Sequence, residues 1–527
     1  PGRRGFQAAA PAGLCSLDDR SGSISTGAAV GRAGVPKVTC ATCAPGGKRY
    51  VGVVKDVVVI GGGVVGCAIA RTLTRYRLDV AMVEREVEVG FGTSKANSGI
   101  IHGGHHSSPG TVKGDLVWRG NQMWQELATE LGFGFLRNGD LTVAFDDEEL
   151  ATIEEIEAIG KERGVTGLEL WGPDRIHREE PNVSKQALAA LHGPTAAVVN
   201  PYEACFALID DAVDNGLDLM VGEPVTAISV DDSHLVVQVG EDRIRSRFVV
   251  NAAGMYGDQV CRMVGIDLPI RARKGEEYLL DKRLAGIVQR TIFPSPTPTS
   301  KGILVIPTYD GTIMVGPTAE SVEDKEDLST TSAGATQVFE MAQRLVPGIS
   351  ERDCIAEFAG LRAVAPGDDF VIGATQVPGF INVIGIQSPG LTAAPAVADE
   401  VVALLVDGGL EFAPKSDLRA PEPRPVRVSE LDVPDLEELA FRDSRYAHVV
   451  CRCELVTEGE IADAIARGAR TLDGVKFRTR AGMGRCQGGF CTSRCMQLLA
   501  DAQHVSIPEI TKRGPGTWVV CEREGAT

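Results

Sequence analysis

Basic residues are a minority in this sequence, long apolar runs are missing, and cysteine is thinly spread. Lys and Arg number 53 against 71 Asp and Glu, for a formal net charge of −18 over 527 residues. Phosphate backbones are held by basic surface, so a general nucleic-acid role is excluded, and an anionic small molecule would have to meet a local basic patch. Nowhere does the chain reach the roughly 18 uninterrupted apolar residues of a membrane span. The longest candidate, Asn382 to Val406, carries Asp399 and Glu400. The chain is therefore expected not to span a membrane, which leaves peripheral attachment open. Thirteen cysteines are too few for a disulfide scaffold at this length, and an odd number leaves one unpaired.

What is present fits a folded protein of two or three domains, because a chain of 527 residues outgrows a single core and 43% of its residues are apolar. Residues 1–55 form a Gly-, Ala- and Ser-rich arm with eight Lys or Arg against two Asp or Glu. That composition reads either as an organelle transit peptide, for a mitochondrion or plastid, or as an unstructured extension of a cytoplasmic protein. Its Cys40 and Cys43 form a lone CxxC with no second pair in range, and no function is expected of them. Residues 56–406 read as one catalytic body. Residues 407–445, with Pro414, Pro421, Pro423, Pro425 and Pro434, read as a charged linker. Residues 446–505 form a cysteine-bearing domain and residues 506–527 a tail.

Val57 to Ile60 is a short β-branched run of the kind found in a buried parallel strand. A glycine turn follows, then helical composition from Val64 to Tyr76 and a second strand from Leu78 to Glu84, which completes a βαβ unit. Gly61, Gly63 and Gly66 match GxGxxG between strand and helix. The first glycine permits the tight turn, the second lets backbone approach a pyrophosphate, and the third lets the helix pack on the strand. Glu84 stands where a carboxylate accepts hydrogen bonds from an adenosine ribose. Further on, Tyr202 to Asn215 and Ala394 to Val406 read as helices. Strands are expected at Val225 to Val230, Leu235 to Val239 and Phe248 to Asn251. Ile303 to Ile306 and Thr312 to Val315, joined through Tyr309-Asp310-Gly311, predict a hairpin in an antiparallel sheet.

The glycine turn alone does not separate NAD from FAD. Thr93-Ser94-Lys95-Ala96-Asn97-Ser98-Gly99-Ile100-Ile101-His102-Gly103-Gly104 resembles the segment of the D-amino-acid-oxidase-like flavoprotein superfamily that passes along FAD. Asn251-Ala252-Ala253-Gly254 and Gly385-Ile386-Gln387-Ser388-Pro389-Gly390-Leu391-Thr392 are similar to its second and third flavin-contacting segments. The resemblance implies FAD, with Thr93, Ser94, Asn97, Ser98, Ala253, Gly254, Gly385, Gly390, Leu391 and Thr392 among its contacts. It also implies an α/β fold: a Rossmann-like FAD-binding domain with an inserted antiparallel-sheet substrate domain.

Lys274-Gly275-Glu276-Glu277-Tyr278-Leu279-Leu280, Gly302 to Thr308 and Phe358-Ala359-Gly360-Leu361-Arg362 resemble the branch that holds anaerobic glycerol-3-phosphate dehydrogenase and L-2-hydroxyglutarate dehydrogenase. Substrates of both are small anions with a secondary alcohol, which need a cation for the anion and a base for the hydroxyl. Arg362 suits the first task as a planar guanidinium fork, against the bland reading of a surface ion pair. His102 suits the second, against a reading in which it only hydrogen-bonds the flavin. His105 and His106 lie close enough to compete for that role, and Lys274 would add positive charge. Gly104-His105-His106-Ser107-Ser108 departs from the branch pattern.

Near the C-terminus Cys451 and Cys453 form a CxC pair, and Cys486 and Cys491 a CxxxxC pair after 32 intervening residues. Four such thiolates suit a [2Fe-2S] cluster or an all-cysteine zinc site. The spacing, with Arg478 to Arg485 before the second pair, resembles the bacterioferritin-associated-ferredoxin-like (BFD-like) domain, which implies the cluster in a small helical domain. Thr457-Glu458-Gly459-Glu460 is a capping box that opens a helix to about Ala466, and Thr492 to Ala502 reads as another.

Together these features predict a dehydrogenase that oxidises glycerol 3-phosphate or a similar anionic alcohol at FAD and passes electrons through the cluster to an acceptor protein or quinone-linked subunit. The rival within enzymes is L-2-hydroxyglutarate dehydrogenase. A rival of another class is a non-catalytic protein of electron transfer or assembly, against which the intact Gly61, Gly63, Gly66, Glu84 and Arg362 speak.

Overall fold

The computed structural model describes residues 53–521, apart from 108, 232 and 298–301. The N-terminal arm before Val53, with Cys40 and Cys43, lies outside the described residues, and so does the end of the tail.

Val57, Val58 and Val59 are all completely buried in the strand Val54–Ile60, which pairs in parallel with Val80–Glu84 on one side and Asp242–Asn251 on the other. Burying each such side chain contributes about 1.5–3 kcal/mol. The sheet extends in parallel to Asp218–Val221 and Phe380–Ile384, with antiparallel strands His234–Val239 and Val225–Asp231 at one side. Helices Val64–Thr74, Pro201–Asp214 and Gly390–Asp407 pack on one face through a core that contains Leu73, Ile209, Val397 and Val401. This is the expected Rossmann-like layer, with its helix at Gly390 four residues ahead of the predicted start.

A second sheet of nine strands is almost wholly antiparallel. Its hairpin, Leu304–Pro307 against Ile313–Gly316, is the predicted one. Its longest pairing joins Arg271–Leu280 to Cys354–Val364, with Gly275 opposite Gly360 and Arg273 opposite Arg362. This second sheet is inserted between Rossmann strands, since Arg271–Leu280 and Cys354–Val364 fall between Asp242–Asn251 and Phe380–Ile384 in the chain.

The stretch read as a plain linker is built into the body. Arg427 bonds Glu203 at 3.0 Å and Asp310 at 2.9 Å, and Arg424 bonds Glu203 at 3.2 Å. It also contains a helix, Val433–Arg442, with Asp432 as N-cap and Pro434 in the first turn. Proline there starts a helix rather than breaking one, because the N–H it lacks has no partner in a first turn.

The cysteine domain folds as three short helices, Glu458–Ala466, Leu472–Thr479 and Thr492–Gln503, with the two-stranded ribbon Val449–Cys451 and Val456–Thr457. The predicted capping box at Thr457 and Glu460 is formed. Arg480 joins this domain to the Rossmann-like body by donating to Asp310 at 2.6 Å and the Tyr202 hydroxyl at 3.2 Å, while Glu454 of its own domain accepts from it at 2.8 Å. Phe477 packs edge-on against Phe91 and Tyr202.

Candidate functional site

One cavity of about 1820 Å³ runs from the glycine turn to the antiparallel sheet. That is well above the roughly 300–1,000 Å³ of an ordinary ligand pocket, so it has room for a dinucleotide with a substrate beside it. Gly61 and Gly63 line it at one end. Gly61 sits at φ +108°, and a Cβ there would meet the Ala252 carbonyl oxygen at 2.4 Å, so only glycine makes this turn. Gly66 does not line the cavity. Its place is steric, because a Cβ would fall 1.9 Å from the Gly61 carbonyl oxygen and push the helix off the strand. Glu84 ends its strand facing the turn, accepting from Gly62 N–H at 2.6 Å and Glu86 N–H at 2.8 Å. Burial raises its carboxyl pKa, while those two N–H groups pull it down.

Thr93, Ser94, Asn97, Ser98 and His102 all line the same cavity, as do Ala253, Gly254, Gly390 and Leu391. The Thr93 hydroxyl donates to the Leu361 carbonyl at 2.8 Å, and a Cβ on Gly360 would meet the Ala96 carbonyl oxygen at 2.0 Å. The segment is thus stapled to the strand that carries Arg362. Ser94 Oγ accepts the first free N–H of the glycine-turn helix, from Val64, at 2.9 Å.

Two expected contacts prove to act from behind the wall. Thr392 is fully buried and does not line the cavity. Its hydroxyl accepts the backbone N–H of His102 at 2.9 Å while its carbonyl accepts the Trp124 indole N–H at 3.0 Å, so it positions His102. Gly385, at φ +70°, also lies off the cavity, and a Cβ there would strike the Ala365 methyl at 2.5 Å.

Lys274 is the clear correction. Alternate residues of a strand point to opposite faces. In Arg271–Leu280 the cavity receives Arg273, Gly275, Glu277 and Leu279. Lys274 points to the other face, buried in an ion pair with Asp327 at 2.8 Å, and the hydrogen bond to that carboxylate raises its pKa. It supplies no charge to the site.

The same alternation brings in residues to which the sequence assigned no role. Glu277 is buried, lines the cavity and accepts from the Ser98 hydroxyl. Burial pushes its carboxyl up to about 7, against the opposing pull of Ser98 and Arg362. Arg362 reaches the cavity from the neighbouring strand and donates from both Nη atoms to the Thr318 carbonyl, each at 3.2 Å. Burial lowers its pKa and Glu277 supports its charge. Gly275 makes the room: a Cβ there would lie 2.6 Å from Arg362 Nη2. Strand parity was the signal that would have separated Glu277 from Lys274.

The cysteine domain adds Lys476, Phe477, Arg480, Met483 and Gln487 to the lining of the cavity. Its thiols pair crosswise, Cys451 with Cys491 and Cys453 with Cys486. Backbone N–H groups of Glu454 and Gly482 point at the Cys451 sulfur, and those of Gly488, Gly489 and Phe490 at the Cys486 sulfur. Two thiol pairs ringed by N–H donors fit a two-iron cluster, which Cys451, Cys453, Cys486 and Cys491 would hold. The reading of a single zinc fits less well. Among the described residues the four sulfurs do not form a group within 4.8 Å of one another. Cys451 and Cys491 are buried while Cys453 is exposed, so one edge of the site faces solvent.

Comparison with known proteins agrees with this geometry. The family model for FAD dependent oxidoreductases matches residues 56–404, and that for the BFD-like [2Fe-2S] binding domain matches residues 449–501. The chain is 41% identical over 469 residues to a glycerol 3-phosphate dehydrogenase of Caloramator mitchellensis, covering 88% of this chain and 98% of that one. It is 26% identical to the mitochondrial L-2-hydroxyglutarate dehydrogenase of Homo sapiens, over 72% of this chain and 94% of the relative. Among solved structures, the L-alpha-glycerophosphate oxidase of Mycoplasma pneumoniae with FAD bound superposes with a TM-score of 0.68 at 28% identity, over 71% of this chain and all of that one. The glycine turn falls within the first matched range and the two thiol pairs within the second, and the chain belongs to the FAD-dependent oxidoreductase family and carries a BFD-like [2Fe-2S] domain.

Proposed function

We propose that this chain is a glycerol-3-phosphate dehydrogenase that sends its electrons out through the iron-sulfur domain. One observation carries the reading: a half-buried guanidinium, Arg362, lines the same cavity as an imidazole, His102. The names of the Caloramator relative and of the Mycoplasma structure support glycerol 3-phosphate over a hydroxy diacid. Bound FAD supplies a hydride acceptor. Arg362 holds the substrate's anion as a fork, its orientation set by the Thr318 carbonyl and by the space at Gly275. His102 takes the proton from the secondary hydroxyl, its backbone fixed by Thr392 and by Asn121, whose Nδ2 donates to the His102 carbonyl at 2.9 Å. Electrons leave at the exposed Cys453 edge to an acceptor protein or quinone-linked subunit. The basic arm, on composition alone, directs the chain to a mitochondrion or plastid. Among the described residues no helix is long and apolar enough to cross a membrane.

Anaerobic titration tests the reading. Glycerol 3-phosphate should bleach the flavin rapidly, and L-2-hydroxyglutarate slowly or not at all. The reverse order would transfer the chain to the hydroxy-acid branch, and no bleaching by either would leave it a protein of electron transfer only.

Glu277 should give the substrate affinity a pH dependence. Below pH 7 it is neutral and Arg362 keeps its full charge toward an anion. Above that pH the carboxylate ionises beside the guanidinium and offsets it, so KM rises with pH. One pKa unit corresponds to about 1.4 kcal/mol, and a rise of about tenfold between pH 6 and 8 is expected. Glu277→Gln should flatten that rise, measured against the wild-type profile so that ionisation of the substrate cancels. Parallel profiles for the two proteins would show that Glu277 does not titrate next to the anion.

A further inference from the structure

His105, His106 and Asp140 play no part in the reaction described above, yet they form a built cluster. The ligand-capable atoms of the three lie within 4.8 Å of one another. His105 and Asp140 are entirely buried, with His105 Nε2 3.3 Å from Asp140 Oδ1. Among the described residues neither nitrogen of His105 and neither oxygen of Asp140 has a hydrogen-bond partner. A buried carboxylate without donors is costly, and native structures resolve such a group with a partner.

We infer that His105, His106 and Asp140 bind one divalent transition-metal ion in the wall at the substrate end of the cavity. The 3.3 Å separation is loose for a hydrogen bond but suits two ligands of one ion, since bonds of about 2.0–2.1 Å at tetrahedral angles place their donor atoms roughly 3.3 Å apart. His106 shows the outer-shell arrangement of a metal-bound imidazole: its Nε2 lies 2.8 Å from Thr142 Oγ1, which gives the second nitrogen, Nδ1, to the ion. Two imidazoles with one carboxylate select a borderline ion such as zinc, cobalt or ferrous iron over magnesium or calcium.

Glycines shape the pocket around these groups. A Cβ on Gly193 would lie 2.4 Å from His105 Cε1 and 2.5 Å from Asp140 Oδ1, and one on Gly103 would lie 2.8 Å from His105 Cε1. Both imidazoles line the cavity whereas Asp140 does not. The carboxylate therefore anchors the ion from behind, and the remaining coordination positions open toward the cavity, where they take water or a substrate oxygen. This inference is independent of which alcohol the enzyme oxidises.

The test uses the oxidised holoenzyme, with its cysteines occupied by iron, dialysed against a chelator and then titrated with Co²⁺ under anaerobic conditions. Oxidised FAD and an oxidised [2Fe-2S] cluster give no electron paramagnetic resonance signal, so high-spin cobalt is seen alone. About one cobalt per chain, displaced by Zn²⁺, is expected. Asp140→Asn, which preserves shape, and His105→Gln should each weaken binding by at least about tenfold, because even outer-shell partners are worth 10–100-fold in affinity. No stoichiometric cobalt on the wild-type protein, or equal retention by both variants, would overturn the site and leave these groups to a buried water.

Discussion

Arg362→Ala should raise KM for glycerol 3-phosphate by two orders of magnitude or more while the protein stays yellow. Truncating one partner of a buried, hydrogen-bonded charge pair costs about 2–5 kcal/mol, which is roughly 30-fold to several thousand-fold in affinity. Lys274 cannot replace the guanidinium. It follows Arg273, the cross-strand partner of Arg362, but is turned to the other face and held by Asp327. Loss of Arg362 would also remove a charge that holds the Glu277 pKa down, so that carboxyl should ionise only at higher pH than in the wild type. The glycine turn and Glu84 lie at the far end of the cavity, so flavin content should match that of the wild type. Arg362→Lys should recover only part of the affinity, since an ammonium cannot form the planar fork that both Nη atoms make on the Thr318 carbonyl. Steady-state kinetics with a flavin spectrum on the same sample decide the matter. Unchanged KM would remove Arg362 from the anion site.

Why the βαβ unit was visible in the sequence and the inward face of Glu277 was not is a matter of which interactions are local. The βαβ unit could be read because its signals lie within about thirty residues: a β-branched strand, a glycine turn and an acid at the end of the next strand. The cysteine pairs could be read for the same reason, although their crosswise pairing of Cys451 with Cys491 depends on how the domain closes. The face on which a strand residue points is fixed by register against a partner far away. Arg271–Leu280 pairs with Cys354–Val364, a distant segment of the chain, and a slip of one position would turn Lys274 inward and Glu277 away from the cavity. Thr392 shows a related limit. Its segment lines the cavity through Ser388, Gly390 and Leu391, but the helix begins at Gly390, so Thr392 turns inward onto the His102 backbone. The helix Val433–Arg442 was hidden because prolines around it read as breakers, and only the tertiary ion pairs of Arg424 and Arg427 reveal an ordered stretch. The cluster at Asp140 could not be seen at all, since that residue sits in an unremarked strand and meets the histidines only after both sheets have formed.

His102→Gln should lower kcat by about 10²–10⁴, the usual worth of a positioned general base, with a much smaller change in KM. His102 is held so that its ring has little freedom. Its backbone N–H and carbonyl are both engaged, by Thr392 and Asn121, and its Nε2 lies 3.4 Å from the Ser388 hydroxyl. Phe293 flanks the ring at 6.1 Å between centroids, which keeps that side apolar. Such fixation is what proton abstraction needs, because misplacement of the acceptor by an ångström erodes the rate steeply. Two roles for this imidazole make different predictions. If it accepts the hydroxyl proton, the variant should lose the acidic limb of the wild-type kcat/KM profile, and the solvent isotope effect on flavin reduction should change with it. If it only hydrogen-bonds the flavin, the variant should instead shift the flavin spectrum and potential and keep the pH profile. A variant with an altered spectrum and an intact acidic limb would move the proton acceptor elsewhere in the cavity, and Glu277, whose carboxyl is pushed up to about 7, would be the residue to replace next.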